Sequence, residues 1–156
     1  MTTHILALGG GGFSMSNRGE PTALDRHILD LSGKSSPLVC FAPTAAADDP
    51  VYVNRFLAAY SALGVRNMVL TLWQGAAESV ERLSQADIVV SGGGSAANLM
   101  ALWKMHGVDH VIRRMIAADS DVDLAGVSAG AASSFSGLWR IHISEPTRQA
   151  RRAMAV

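Results

Sequence analysis

Asp121-Val-Asp-Leu-Ala-Gly-Val-Ser-Ala-Gly130 reads as a short strand running through Gly126 and Val127 into Ser128, and then into a run of small residues from Ala129. A Gly-x-Ser-x-Gly turn holds its serine on a tight strand-to-helix corner. The flanking glycines let backbone and ligand approach closely, and the N–H of the following residue points at an oxygen that gains charge. Ser128 is therefore a candidate nucleophile, with the Ala129 N–H as a candidate donor to the oxyanion. The corner has a meaning only where a strand precedes it and a helix follows.

Working outward from that corner, short apolar runs alternate with longer segments of helical period from residue 4 to residue 130. Alternation of this kind predicts a parallel sheet with crossover helices. The expected strands are His4–Leu8, Pro37–Ala42, Arg66–Leu72, Asp87–Ser91 and Val122–Val127, nearly all apolar, as strands covered on both faces are. Thr22–Leu31 carries Leu24, Ile28 and Leu31 at helical spacing before Gly33, and Val51–Leu63 carries Val53, Phe56, Leu57 and Tyr60 before Gly64. Ala77–Ser84 reads as a shorter helix, and Ala96–His106 with Val111–Ala118 as a helical pair broken near Gly107. The fold class is α/β: a three-layer, open, mostly parallel sheet with helices on both faces.

With 156 residues, 49% hydrophobic and 17% charged, the chain has the size and apolar content of one domain with one core. The formal net charge is zero, and no Lys/Arg cluster occurs before residue 140, so neither nucleic acid nor an anionic membrane is an expected partner. Cys40 is the single cysteine and sits in the apolar run Leu38-Val-Cys-Phe41, which predicts a buried thiol and a cytoplasmic location. The N-terminus lacks the basic segment and cleavage site of a secretory signal, and no apolar run is long enough to span a bilayer.

Ligands of such sheets bind outside the carboxyl ends of the strands. Four segments gather at that rim: Gly9-Gly-Gly-Gly-Phe-Ser-Met15, Pro43-Thr-Ala-Ala-Ala-Asp-Asp49, Gly92-Gly-Gly-Ser95 and Gly126-Val-Ser-Ala-Gly130. The first fails as a dinucleotide fingerprint, because the sixth position from Gly9 is Ser14, and neither lysine follows a glycine loop as a Walker motif requires. No cofactor is expected. The triplet Gly92, Gly93 and Gly94 lies between a strand and a helix, where exposed N–H groups and the helix dipole favour a negative oxygen. With Ala129 it would supply donors from neighbouring strand ends to a tetrahedral intermediate. Asp48 and Asp49 read as a solvated turn. His4, His27, His106 and His110 read as surface or capping residues, none with metal-ligand spacing, so no metal is expected.

Gly9-Gly-Gly-Gly-Phe-Ser-Met15, Phe41-Ala-Pro-Thr-Ala45, Val90-Ser-Gly-Gly-Gly-Ser-Ala-Ala-Asn-Leu99 with Ala101-Leu-Trp103, and Leu124-Ala-Gly-Val-Ser-Ala-Gly-Ala131 together resemble the peptidase E family. These are aspartyl dipeptidases, serine peptidases related to cyanophycinases, with a sheet similar to that of class I glutamine amidotransferases. The resemblance covers about residues 4 to 138. It implies Ser128 as nucleophile, Gly92–Gly94 beside the oxyanion, and a small peptide as substrate, Asp-X dipeptides among the choices. Ser95 stands where the family usually has asparagine.

Downstream the pattern stops. The acidic residue and the Pro-His-Tyr-like histidine motif that complete the family's triad are not recognisable after Ser128. From Arg140 on there are four arginines against one glutamate, whereas residues 1 to 139 carry nine basic and twelve acidic groups. Residues 1–139 are thus expected to form the N-terminal part of a peptidase E-like domain, truncated after the nucleophile motif, with 140–156 an irregular tail foreign to the family. The chain as written is expected to be catalytically impaired, His142 being the only histidine after Ser128. A non-catalytic α/β module that binds a carboxylate at its glycine rim is the alternative. A sheet cut after its fifth strand exposes an edge, which predicts poor solubility or self-association, a homo-oligomer included.

Overall fold

Ile5–Leu8 (β1), Leu38–Ala42 (β2), Arg66–Val69 (β3), Ile88–Ser91 (β4) and Asp123–Val127 (β5) pair in parallel in the order β1-β5-β4-β2-β3. The structure is a computed structural model that describes residues 3–118 and 121–131. The expected tail 140–156 and His142 lie outside the described residues. Five helices connect the strands: Ala23–Leu31 (α1), Pro50–Ala62 (α2), Ala76–Leu83 (α3), Ala96–His106 (α4) and Val108–Ala117 (α5).

Side-chain alternation along each strand divides the core into two layers. Val39 and Phe41 of β2, Ile88 and Val90 of β4 and Ala125 of β5 face α1 and α2, meeting Ile28, Phe56, Ala59 and Tyr60. Cys40 and Ala42 of β2, Val89 of β4 and Leu124 of β5 face the other way, against Leu83, Leu99, Trp103, Val108 and Ile112 of α3, α4 and α5. Strands β2, β4 and β5 are buried on both faces, apart from the half-buried Leu38, which explains their near-continuous apolar sequences. Burial pushes the Cys40 thiol up to about 12, against weaker opposing effects from the Leu70 backbone and the Arg82 charge.

The connections β1→β2 and β2→β3 run in one direction across the sheet, over the α1/α2 face. Those from β3 to β4 and β4 to β5 run back over the other face. All four crossovers therefore share one hand, as right-twisted β-α-β units require. Chain exits from the neighbouring strands β2 and β4 diverge to opposite faces, so a crevice opens at their carboxyl ends.

The element boundaries follow local chemistry. The second helix begins at Pro50, whose fixed φ suits the first helical position, and the Asp49 carboxylate accepts the N–H groups of Val51 at 2.7 Å and Tyr52 at 3.0 Å. The third strand is shorter than its apolar run, because the Asp48 carboxylate takes the N–H groups of Leu72 (2.8 Å) and Trp73 (3.3 Å) and turns the chain away. Asp48 and Asp49 thus lie in a turn, Asp49 exposed, and also serve as structural ties. The fifth helix starts at Val108, directly after Gly107 in left-handed conformation (φ 71°), which ends α4 and opens α5.

One edge of the described sheet is β1, whose Ile5 is 54% exposed. Among the described residues no helix is long and apolar enough to cross a membrane.

Candidate active site at the carboxyl rim

Ser128 stands at the end of β5 with φ 54°, a left-handed conformation that a residue with a side chain adopts at a cost of about 1 kcal/mol. What imposes it is visible on both sides. The Ser128 N–H donates to the Leu8 carbonyl at 2.8 Å, extending the ladder between β1 and β5, while residues 129–131 already turn into helix. The reversal forces backbone against backbone. A Cβ on Gly126 would lie 2.7 Å from Cα of Ala131, and one on Gly130 would lie 2.5 Å from the Ser91 carbonyl oxygen and 2.6 Å from that of Gly92. Both glycines of the Gly-x-Ser-x-Gly motif are therefore required by contact. The serine is exposed on this corner, and Ala129 is half-buried.

The glycine triplet after β4 comes to the same corner. A Cβ on Gly93 would sit 3.4 Å from Cβ of Ser128 and 3.9 Å from its Oγ, so Gly93 adjoins the serine directly. Gly94 (φ 140°) is pressed against the Ala45 carbonyl, where no side chain fits, and the Ser95 N–H donates to that same carbonyl at 2.7 Å. Gly92 lies against the rings of Tyr52 and Phe41. The loop after β2 is in turn fastened to α4, since the Trp103 indole N–H donates to Thr44 Oγ1 at 3.2 Å within the core.

The individual donors have different fates. Gly92 N–H is spent on the Ala42 carbonyl at 3.0 Å, as a continuation of the ladder between β2 and β4. Gly93 N–H donates to the Tyr52 hydroxyl at 3.3 Å. Neither the Gly94 nor the Ala129 N–H has an acceptor among the described residues. The three glycines are therefore not equivalent: Gly93 touches the serine, Gly92 and Gly94 shape the loop around it. At the position where the family usually has asparagine, Ser95 caps α4, its Oγ accepting the Asn98 N–H at 3.3 Å.

Sequence reasoning missed Tyr52. Its position on the predicted helix identified it as neither core nor site, and only the fold brings that helix end over β4. The described histidines stand elsewhere. His4 precedes β1 at the far end of the sheet, with its Nδ1 2.9 Å from Asp123 Oδ1, while His106 is the last residue of α4 and His110 lies in the first turn of α5. His27 is in the middle of α1. Among the described residues, no cluster of three or more His, Cys, Asp or Glu has metal-binding geometry.

A parallel α/β sheet with a strained serine at a strand tip, flanked by a glycine loop, defines the class of α/β proteins with a nucleophile elbow. The family model described as "Peptidase family S51" matches residues 5–153, and the chain belongs to that family. The matched span runs past residue 139 into the segment whose composition stands apart. Over 128 residues the chain is 39% identical to the uncharacterized peptidase YgaJ of Bacillus subtilis (strain 168), a match covering 81% of this chain and 54% of the relative. It thus spans about half the length of that protein. A crystal structure described as a candidate peptidase E protein from Listeria monocytogenes EGD-e shares the fold, with a TM-score of 0.57, 22% identity, and coverage of 84% of this chain and 61% of the other. A peptidase from an acI-B1 actinobacterium aligns with a TM-score of 0.56 at 18% identity, over 84% and 56%.

Proposed function

We propose that this chain carries the nucleophile-bearing part of a serine peptidase that hydrolyses small peptides by acyl transfer, Asp-X dipeptides being the substrates to try first. The observation that carries the reading is Ser128 itself, held at φ 54° on the rim beside Gly93 by two glycines that admit no side chain. In the reaction, Ser128 Oγ loses its proton to a base and attacks the peptide carbonyl, forming an Oγ–C bond while the carbonyl oxygen takes up the electron pair. Collapse expels the amine, which leaves with a proton, and water then releases the acid and restores the serine. Oxyanion stabilisation falls to the Ala129 N–H and to the loop that holds Gly93.

None of the described histidines stands at the Ser128 corner, and outside the described residues His142 is the one histidine. Family membership and the peptidase names of the relatives support the class of reaction; impaired turnover by this chain alone is part of the proposal.

The test is hydrolysis of an Asp-X dipeptide by the 156-residue chain, beside Ser128→Ala and His142→Ala. Hydrolysis lost in both variants would make His142 the base and remove the expectation of impairment. With turnover below detection, stoichiometric labelling by a fluorophosphonate that Ser128→Ala abolishes supports a competent nucleophile without its base. Failure to label Ser128 at all would sink the peptidase reading and leave the carboxylate-binding module.

A further inference from the structure

Three features converge on Tyr52, which lies in the first turn of α2. Its ring packs edge-on against Phe41, with centroids 4.9 Å apart, and beside Phe13 at 5.7 Å. The same ring closes over Gly92, whose added Cβ would lie 3.0 Å from Tyr52 Cε1. The hydroxyl oxygen accepts the Gly93 N–H, and no described residue accepts the proton that the hydroxyl itself carries.

An N–H group has one proton to give. The Gly93 donor, the member of the triplet that adjoins Ser128, is engaged by a phenol whose ring three neighbours hold in place. Swinging that ring aside to free the N–H would break the Phe41 and Phe13 contacts. Leaving it in place makes a chain, from Gly93 N–H to Tyr52 Oη and from its O–H outward. Donation into the oxygen polarises the hydroxyl and makes it a stronger donor in turn. A phenolic O–H aimed at a developing oxyanion is an established way to stabilise one.

Resting on the serine peptidase reading, we propose that Tyr52 is a catalytic residue whose O–H donates to the substrate's oxyanion, with Gly93 a positioning residue that holds and polarises the phenol. The oxyanion then sits between the Ala129 N–H and the Tyr52 hydroxyl, above Gly93. Ser128 Oγ and Tyr52 Oη both adjoin that glycine, at most about 10 Å apart by covalent geometry, a bound that includes the separation of about 7 Å that an attacked carbonyl with its two contacts requires.

Tyr52→Phe tests this, since it deletes the hydroxyl and keeps the ring on Phe41. The first readout is the rate of Ser128 labelling by a fluorophosphonate, a step in which an Oγ–P bond forms, fluoride leaves and the phosphoryl oxygen occupies the oxyanion position. We expect labelling to slow about tenfold or more, with saturation by the probe at an unchanged concentration and an unchanged melting temperature. Labelling as fast as in the parent chain, or faster, overturns the proposal. The second readout does not need a reactive serine: the affinity of N-acetyl-aspartate for Ser128→Ala against the Ser128→Ala, Tyr52→Phe double variant, followed at the Gly93 amide resonance. Weaker binding in the double variant, with the Gly93 resonance shifted, supports the phenol as donor even where the labelling reaction fails. Equal affinity, or no binding to either, overturns it.

Discussion

Side-chain ties occur at both ends of the sheet, but the carboxyl end adds close backbone packing. At the carboxyl end, backbone meets backbone: Gly130 lies against the carbonyls of Ser91 and Gly92, Gly94 against that of Ala45, and Gly126 against Ala131. At the amino end, side chains tie the strands. Asp123 accepts the His4 N–H at 2.8 Å, and Asp87 accepts the Leu38 N–H at 2.7 Å and Lys34 Nζ at 2.5 Å, with Arg66 3.6 Å away. Contacts of the first kind tolerate no added atom, whereas those of the second are lost one hydrogen bond at a time. A rim that must aim a serine and its donors within fractions of an ångström is built from the less forgiving kind.

Substitution at the rim should show the largest effect. Gly130→Ala puts a methyl against two carbonyl oxygens that belong to β4 and its exit, neither of which can move without the sheet, and we expect a loss of about 4 kcal/mol or more. Urea unfolding measures it; a midpoint near that of the parent chain would break the distinction between the two ends.

At the amino end, Asp87→Asn should cost about 1 kcal/mol at neutral pH, because the carboxylate is partly exposed and screened. Burial pushes the Asp87 carboxyl up, but the Leu38 N–H and the Lys34 and Arg66 charges outweigh it and hold the group below its ordinary 3.8. A carboxyl depressed by folding stabilises above its unfolded value and loses that contribution as pH falls through the folded one. Parent and variant should therefore converge in stability below pH 3.8, as thermal melts across that range would show. A difference that persists into strong acid would mean that Asp87 acts by shape and not by charge.

A comparison within the elbow isolates strain from contact. Glycine takes φ 54° without a Cβ penalty, so Ser128→Gly should be more stable than Ser128→Ala by about 1 kcal/mol, though both lose labelling by the fluorophosphonate. Equal stability would show that the corner is relaxed. The smallest effect belongs to the sheet between the two ends: Cys40, buried and with its thiol pushed up to about 12, should react with iodoacetamide only when the protein unfolds, and native labelling detected by mass would mean that the layer beneath α4 and α5 opens.

Much of the fold was legible along the chain, and the reason is physical. Strands buried on both faces must be apolar throughout, so β2, β4 and β5 stand out, and glycines at 33, 64 and 107 stop their helices by taking left-handed backbone. Boundaries set by distant partners were not legible: the end of β3 depends on Asp48, 24 residues before Leu72, and the turn chemistry of Asp48 and Asp49 pointed to solvent. In the candidate site, the serine and its glycine loop carried a local signature. Tyr52 carried none, because its place on the helix marked it as neither core nor site until the fold showed where its hydroxyl ends.

The sequence by itself determined the alternation of strand and helix, the glycine-flanked serine at a strand tip and membership of a peptidase family. The first two rest on periodicity and on local backbone requirements, which neighbours along the chain express, and the third on motifs that resemble the family's. Only the tertiary structure decided which glycine adjoins Ser128, which N–H groups the sheet consumes, and that a tyrosine from α2 takes the Gly93 donor. Those are contacts between segments some 40 residues apart, fixed by strand order and by the face to which each crossover turns.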